Sequence, residues 1–156
     1  MIREHSEDLD GGALTVAIAV SRFNTLITER LLAGAIEGLA SLGVREDRVT
    51  VAWVPGSFEL PYAARRFAET GRFDAVICLG CVIKGETDHN EYINHATASG
   101  LEMVGQETGV PAIFGVVTTN SLEQALARAD EGSTNKGWES AVAAVTMANL
   151  RRTLGE

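Results

Sequence analysis

Asp74-Ala-Val-Ile-Cys-Leu-Gly-Cys-Val-Ile83 is the stretch that decides the fold. An unbroken apolar run, β-branched at Val76, Ile77, Val82 and Ile83, predicts a strand buried on both faces. Such strands belong to parallel sheets covered by helices on two sides. Lys84-Gly85-Glu86-Thr87-Asp88 breaks the run, and residues 90–108 then place Ile93, Ala96, Gly100, Leu101 and Val104 at helical spacing, facing inward.

Outward from this centre the alternation repeats. Thr15–Ser21 (TVAIAVS) reads as a strand, followed by a helix over 26–42 that carries Ile27, Leu31, Leu32, Ala35, Ile36, Leu39 and Leu42 on one face and is closed by Gly43. Val49–Val54 is a strand halted by Pro55-Gly56, and Ser57 is placed to cap a helix running to about Thr70. Ala112–Thr118 is a fourth strand; Ser121-Leu-Glu-Gln124 opens a helix over 122–130 as a capping box, and a last helix follows Asn135-Lys136-Gly137 to about Arg152. The expected fold is a three-layer α/β/α sandwich of flavodoxin-like type, a four-stranded parallel sheet with an N-terminal arm over residues 1–13 and a single domain over 14–156.

A chain of 156 residues suits one such domain, and 46% apolar with 22% charged residues is the balance of an ordinary globular protein. Its 13 basic and 21 acidic residues leave a net charge of −8, which argues against nucleic acid and against anionic membrane as partners. No segment is long and apolar enough to span a bilayer. Arg3, Glu4, His5, Glu7, Asp8 and Asp10 stand where a signal peptide would need an apolar region, so a cytoplasmic location is expected.

Cys78-Leu-Gly-Cys81 spells C-x-x-C, but inside a strand residues three apart point to opposite faces. These thiols therefore read as core residues, neither a redox pair nor a metal site. Gly80-Cys-Val-Ile-Lys-Gly85-Glu86-Thr87 resembles a P-loop, yet Glu86 occupies the place of the phosphate-binding lysine, so a nucleotide site is rejected. The loop Gly85–Asp88 still joins a strand to a helix N-terminus, where free backbone N–H groups hold oxyanions. His89 opens that helix; His95 has no metal-binding spacing with it, and neither His95 nor His5 is given a role. Phe23, after the first strand, and Glu59, after the second, also fall at carboxyl strand ends, where open α/β sheets bind ligands. Taken singly, each has an ordinary structural reading. Together, Phe23, Ser57–Glu59 and Gly85–His89 should line one crevice with an aromatic plate, a carboxylate, an oxyanion loop and an acid–base group.

Several blocks in order across residues 14–154 carry a resemblance: SRFN (21–24), VPGSFELP (54–61), LGCVIKGETDH (79–89), GVPAIFGVVTT (109–119), NKGWESA (135–141) and MANL (147–150). The chain resembles the lumazine synthases of riboflavin biosynthesis. The resemblance implies condensation of 5-amino-6-(D-ribitylamino)uracil with 3,4-dihydroxy-2-butanone 4-phosphate to 6,7-dimethyl-8-ribityllumazine, with no metal or redox cofactor. By position it implies that Phe23 stacks on the pyrimidine, that Ser57, Phe58 and Glu59 bind this substrate with Glu59 on the ribityl hydroxyls, and that Cys81, Val82 and Ile83 contact the ring through backbone groups. Glu86 and Thr87 approach phosphate through backbone N–H, His89 donates and accepts protons, Phe114 completes the ring pocket, and Arg128 with Lys136 binds phosphate.

The same resemblance implies a homo-oligomer, a pentamer or twelve pentamers in an icosahedral shell, with riboflavin synthase as a further partner and residues 1–13 pairing along a neighbour. Two rival readings are an archaeal-type riboflavin synthase, which keeps the fold, and a non-catalytic flavin carrier or shell protein. Arg128, Lys136 and Phe114 fall away from the carboxyl strand ends, so a neighbouring subunit is expected to supply them.

Overall fold

The computed structural model describes residues 1–155. Strands β1 (Val16–Ser21), β2 (Val49–Val54), β3 (Ala75–Ile83) and β4 (Ala112–Thr119) form one all-parallel sheet in the order β2-β1-β3-β4. Helices α1 (Thr25–Ser41), α2 (Leu60–Glu69), α3 (His89–Thr108), α4 (Leu122–Arg128) and α5 (Lys136–Gly155) connect and cover it.

Alternation along β3 sorts the helices into two layers. Ala75, Ile77, Leu79 and Cys81 pack with Val16, Ile18 and Val20 of β1 beneath α1, α4 and α5. Val76, Cys78 and Val82 pack with Ala17 and Ala19 beneath α2 and α3. The flavodoxin-like α/β/α expectation is met, and Cys78 and Cys81 fall in different layers, both as free thiols. Burial pushes them up to about 12 and about 11 respectively.

Small residues let α1 and α5 cross closely. A Cβ on Gly38 would stand 2.9 Å from that of Ala141, and one on Gly137 would fall on the Leu31 carbonyl. Asn135 is 1% exposed and serves both helices: its Nδ2 donates to the Arg30 carbonyl (3.2 Å), and its Oδ1 accepts from Gly137 N–H (2.7 Å) and Trp138 N–H (3.2 Å). At the other end of α1, Gly43 adopts φ 91°, with Gly43 N–H donating to the Ala40 carbonyl and Val44 N–H to the Leu39 carbonyl. That pair of bonds is a Schellman stop, as the glycine predicts.

Three local expectations are corrected, and the edge of the sheet adds a detail. Ser57 makes no side-chain cap; it begins a short 3₁₀ turn, Ser57–Glu59, and α2 starts only at Leu60 with Pro61 in its first turn. On α3 the inward position belongs to Thr97, while Ala96 is exposed. On α1, Gly34 and Gly38 are buried and Ile36 is exposed, because the α5 crossing selects the small residues. At β2, Val51 and Trp53 are partly exposed because β2 is an edge strand with no neighbour beyond it. Ser121 does cap α4, accepting from Gln124 N–H at 3.2 Å; the Gln124 side chain returns the bond to Asn120 N–H at 2.9 Å.

The end of the arm lies on its own chain. Gly11 N–H donates to the Leu42 carbonyl (2.8 Å), and Asn149 Nδ2 donates to the Asp8 and Asp10 carbonyls (2.9 and 3.0 Å). Residues 1–10 are otherwise exposed. Among the described residues no helix is long and apolar enough to cross a membrane.

Candidate active site

The sheet order reverses direction at β1 and β3, and the crevice outside their carboxyl ends is where a ligand site is expected. A cavity of about 690 Å³ opens there. Three loops and the start of α3 build it, each held by specific bonds.

The β1–α1 loop brings Phe23. Arg22 N–H donates to the Val54 carbonyl (2.8 Å) and Phe23 N–H to the Pro55 carbonyl (3.1 Å), so this loop extends the β1–β2 pairing past the strand ends. Asn24 then turns the chain into α1 with φ 62°, the left-handed region that asparagine tolerates better than most side chains. Its Nδ2 donates to the Cys81 carbonyl (2.8 Å), pinning the Phe23 loop to β3. The sequence reading missed this role, although an asparagine between a strand end and a helix start was its signal. Phe23 is left 71% exposed at the mouth of the crevice.

The second loop is the 3₁₀ turn Ser57–Glu59. Ser57 is buried with its Oγ lying over Gly80 of β3, where a Cβ would collide with it. Glu59 is half-buried, and Phe58 is exposed at the mouth. The third is the Gly85–Asp88 loop, whose Thr87 Oγ1 accepts from His89 N–H at 3.3 Å. Asp88 precedes α3 without a side-chain cap, which leaves the positive end of the helix facing the crevice.

Phe23, Ser57, Phe58, Glu59, Cys81, Val82, Ile83, Thr87 and His89 all line this one cavity. Pro55, Gly56, Gly85, Asn90 and Ile93 complete the wall. Glu86 is exposed and does not line it. Asn90 was not singled out as a site residue; its Oδ1 is buried without a hydrogen-bond partner among the described residues, as is that of Asn94 one turn on.

Phe114, Arg128 and Lys136 lie elsewhere. Arg128 and Lys136 line a second cavity of about 560 Å³ against the end of β4, sharing no wall residue with the first. Lys136 stands 3.7 Å from the Glu139 carboxylate. Phe114 sits two residues into β4, opposite Cys78, and is 39% exposed. Sequence placement alone separated these three from His89, and the folded chain keeps them apart.

A cavity of similar size, about 680 Å³, lies near the opposite end of the molecule. Three of its charged groups are spent on one another: Arg65 pairs with Glu107 and also approaches Glu69 at 3.6 Å. Among the described residues no three His, Cys, Asp or Glu side chains gather as a metal site.

The wall chemistry is thus an aromatic face, backbone edges of β3, a carboxylate, a helix N-terminus and an imidazole, arranged around one apolar-floored space. The profile of the family described as 6,7-dimethyl-8-ribityllumazine synthase matches residues 13–152, nearly the whole chain, a range that includes every loop of the crevice. The chain belongs to the 6,7-dimethyl-8-ribityllumazine synthase family.

Proposed function

We propose that this chain condenses 5-amino-6-(D-ribitylamino)uracil with 3,4-dihydroxy-2-butanone 4-phosphate, giving 6,7-dimethyl-8-ribityllumazine, inorganic phosphate and water. The family supports a lumazine synthase, a transferase of riboflavin biosynthesis. The observation that carries the finer reading is the single cavity shared by Phe23, Ser57–Glu59, Cys81–Ile83, Thr87 and His89.

In this reading Phe23 stacks on the flat pyrimidine and the β3 backbone edge meets its ring amides. Glu59 accepts from the ribityl hydroxyls. The amine of the pyrimidine attacks the ketone, and loss of one water forms an imine. A proton leaves the carbon beside the imine and phosphate departs from the next carbon. The enol so formed takes a proton on its terminal carbon and becomes a methyl ketone. The ribityl-bearing nitrogen attacks this carbonyl and closes the ring with loss of a second water. Each step moves a proton, and His89 is the titratable group at the head of α3 beside the oxyanion loop; one placed imidazole contributes about 10²–10⁴-fold.

The phosphate lies between the Gly85–Thr87 backbone and the Arg128 and Lys136 side chains of a neighbouring subunit, with the neighbour's Phe114 closing the ring pocket. The active species is accordingly a ring of subunits, a pentamer or a shell of pentamers, working in the cytoplasm. The test is a spectrum of purified protein supplied with both substrates. Lumazine formation supports the reading. Riboflavin made from supplied lumazine would assign the chain to the synthase paralogue instead, and bound flavin without turnover would make it a carrier.

A further inference from the structure

The Ser57–Glu59 turn has little to hold it from within. It is a single 3₁₀ turn closed by two backbone bonds, Glu59 N–H to the Gly56 carbonyl at 3.2 Å and Leu60 N–H to the Ser57 carbonyl, and no side chain caps it. Short 3₁₀ turns have poor hydrogen-bond geometry and rely on outside contacts. One such contact is Ser57 resting on Gly80. The other is a hydroxyl: Thr97 Oγ1 donates to the Ser57 carbonyl at 3.1 Å, with Thr97 wholly buried.

That bond is unusual for its position. A threonine inside a helix ordinarily returns its hydroxyl to the carbonyl one turn back along the same helix. Thr108 does this within α3, donating to the Val104 carbonyl at 2.5 Å. Thr97 instead spends its hydroxyl across forty positions of sequence, on the turn that carries Phe58 and Glu59. It lies about two helical turns after His89 on the same rigid element.

We propose that Thr97 is a positioning residue: it locks the Ser57–Glu59 turn to the helix that carries His89, and so sets the separation between the pyrimidine-binding turn and the proton-transfer group without lining the cavity itself. The proposal rests on the reaction assigned above. Its effect falls on the pyrimidine, because the hydroxyl bond of Thr97 goes to the Ser57–Glu59 turn and not to the phosphate loop Gly85–Asp88.

The experiment compares Thr97→Val, of nearly the same shape without the hydroxyl bond, with Thr97→Ser, which keeps it. Amide hydrogen exchange and steady-state kinetics are read on each. In Thr97→Val, exchange at the Glu59 and Leu60 amides, the two that close the turn, rises about three- to tenfold, the worth of one buried hydrogen bond. The KM for the pyrimidine rises by a similar factor, the KM for butanone phosphate stays within about twofold, and Thr97→Ser restores both quantities. Unchanged exchange at the turn would overturn the proposal, as would equal loosening of β3 and α2 or a parallel rise in both KM values. Should the valine variant fail to fold, Thr97→Ala against Thr97→Ser makes the same comparison. If the unaltered protein forms no lumazine, the assigned reaction falls, while the exchange measurement still decides whether Thr97 holds the turn.

Discussion

Mixing two nearly inactive variants, His89→Ala and Arg128→Ala, should restore activity. The reason is geometric. Arg128 ends α4, whose seven residues carry the chain about 10 Å away from Ser121 at the carboxyl edge of the sheet. It opens on a cavity with no wall residue in common with that of His89. If each working site draws His89 from one subunit and Arg128 from the next, a junction works when an intact His89 meets an intact Arg128. In a random one-to-one mixture this occurs at about a quarter of the junctions, whatever the ring size, because every interface is the same head-to-tail contact. At a three-to-one ratio the share falls to about a fifth. Each variant alone should retain a small residue, since the amine–ketone condensation also proceeds without an enzymic base; for His89→Ala the loss is about 10²–10⁴-fold. The subunits are unfolded and refolded together, and lumazine formation is followed by absorbance against mixing ratio. A curve peaking near a quarter of wild-type activity at equal amounts is the expected result. Activity that interpolates linearly between the two parents, with no maximum, would refute the shared site.

Three further outcomes follow from other contacts. Phe23→Ala should raise KM for the pyrimidine well above any change for butanone phosphate, because the proposed role of the exposed ring is to stack on the flat heterocycle alone; equal changes for both substrates would point to a damaged loop. Asn135→Ala should destabilise the fold by roughly 1–3 kcal/mol, from the lost α5 cap and the lost bond to the Arg30 carbonyl, seen as a lower urea midpoint. The thiols set an alkaline limit: with folded values of about 12 for Cys78 and about 11 for Cys81 against 9.0 unfolded, their share of stability is full below about pH 9 and falls above it, where only the unfolded chain loses these protons. Each thiol accounts for roughly 1.4 kcal/mol at pH 10, so Cys78→Ala should lose less stability between pH 8 and 10 than the unaltered chain; parallel losses would count against this.

The architecture was legible because β3 is apolar at every position and strands of that kind have few other homes. Parity along β3 also sorted the C-x-x-C correctly, since period two is rigid. What stayed hidden were choices made by tertiary partners. Nothing local tells α3 to bury Thr97 and expose Ala96; a hydroxyl acceptor at Ser57 decides it. Ser57 reads as a cap because serine before a helix usually is one, yet the flat surface of Gly80 draws it under the turn instead. Phe23, Ser57–Glu59, Gly85, Thr87 and His89 line the crevice where strand ends predicted them, while Glu86 and Asp88 of the Gly85–Asp88 loop do not line it. Asn24 and Asn90 were passed over as site residues, because a carboxamide advertises chemistry only once its partner, or the lack of one, is visible.

Cys78 and Cys81, neighbours in sequence but set on opposite faces of β3, also make the molecule a recorder of its own breathing. A thiol reagent reaches Cys78 only when the α2–α3 layer lifts, whereas Cys81, at the wall of the crevice, is reached when the α1–α5 side or the crevice loops open. Two single-cysteine variants would therefore time the two openings separately. Coincident labelling rates would mean that both shells come away in one cooperative event. Unequal rates would mean that the sheet has a softer side, and would say which helical layer yields first.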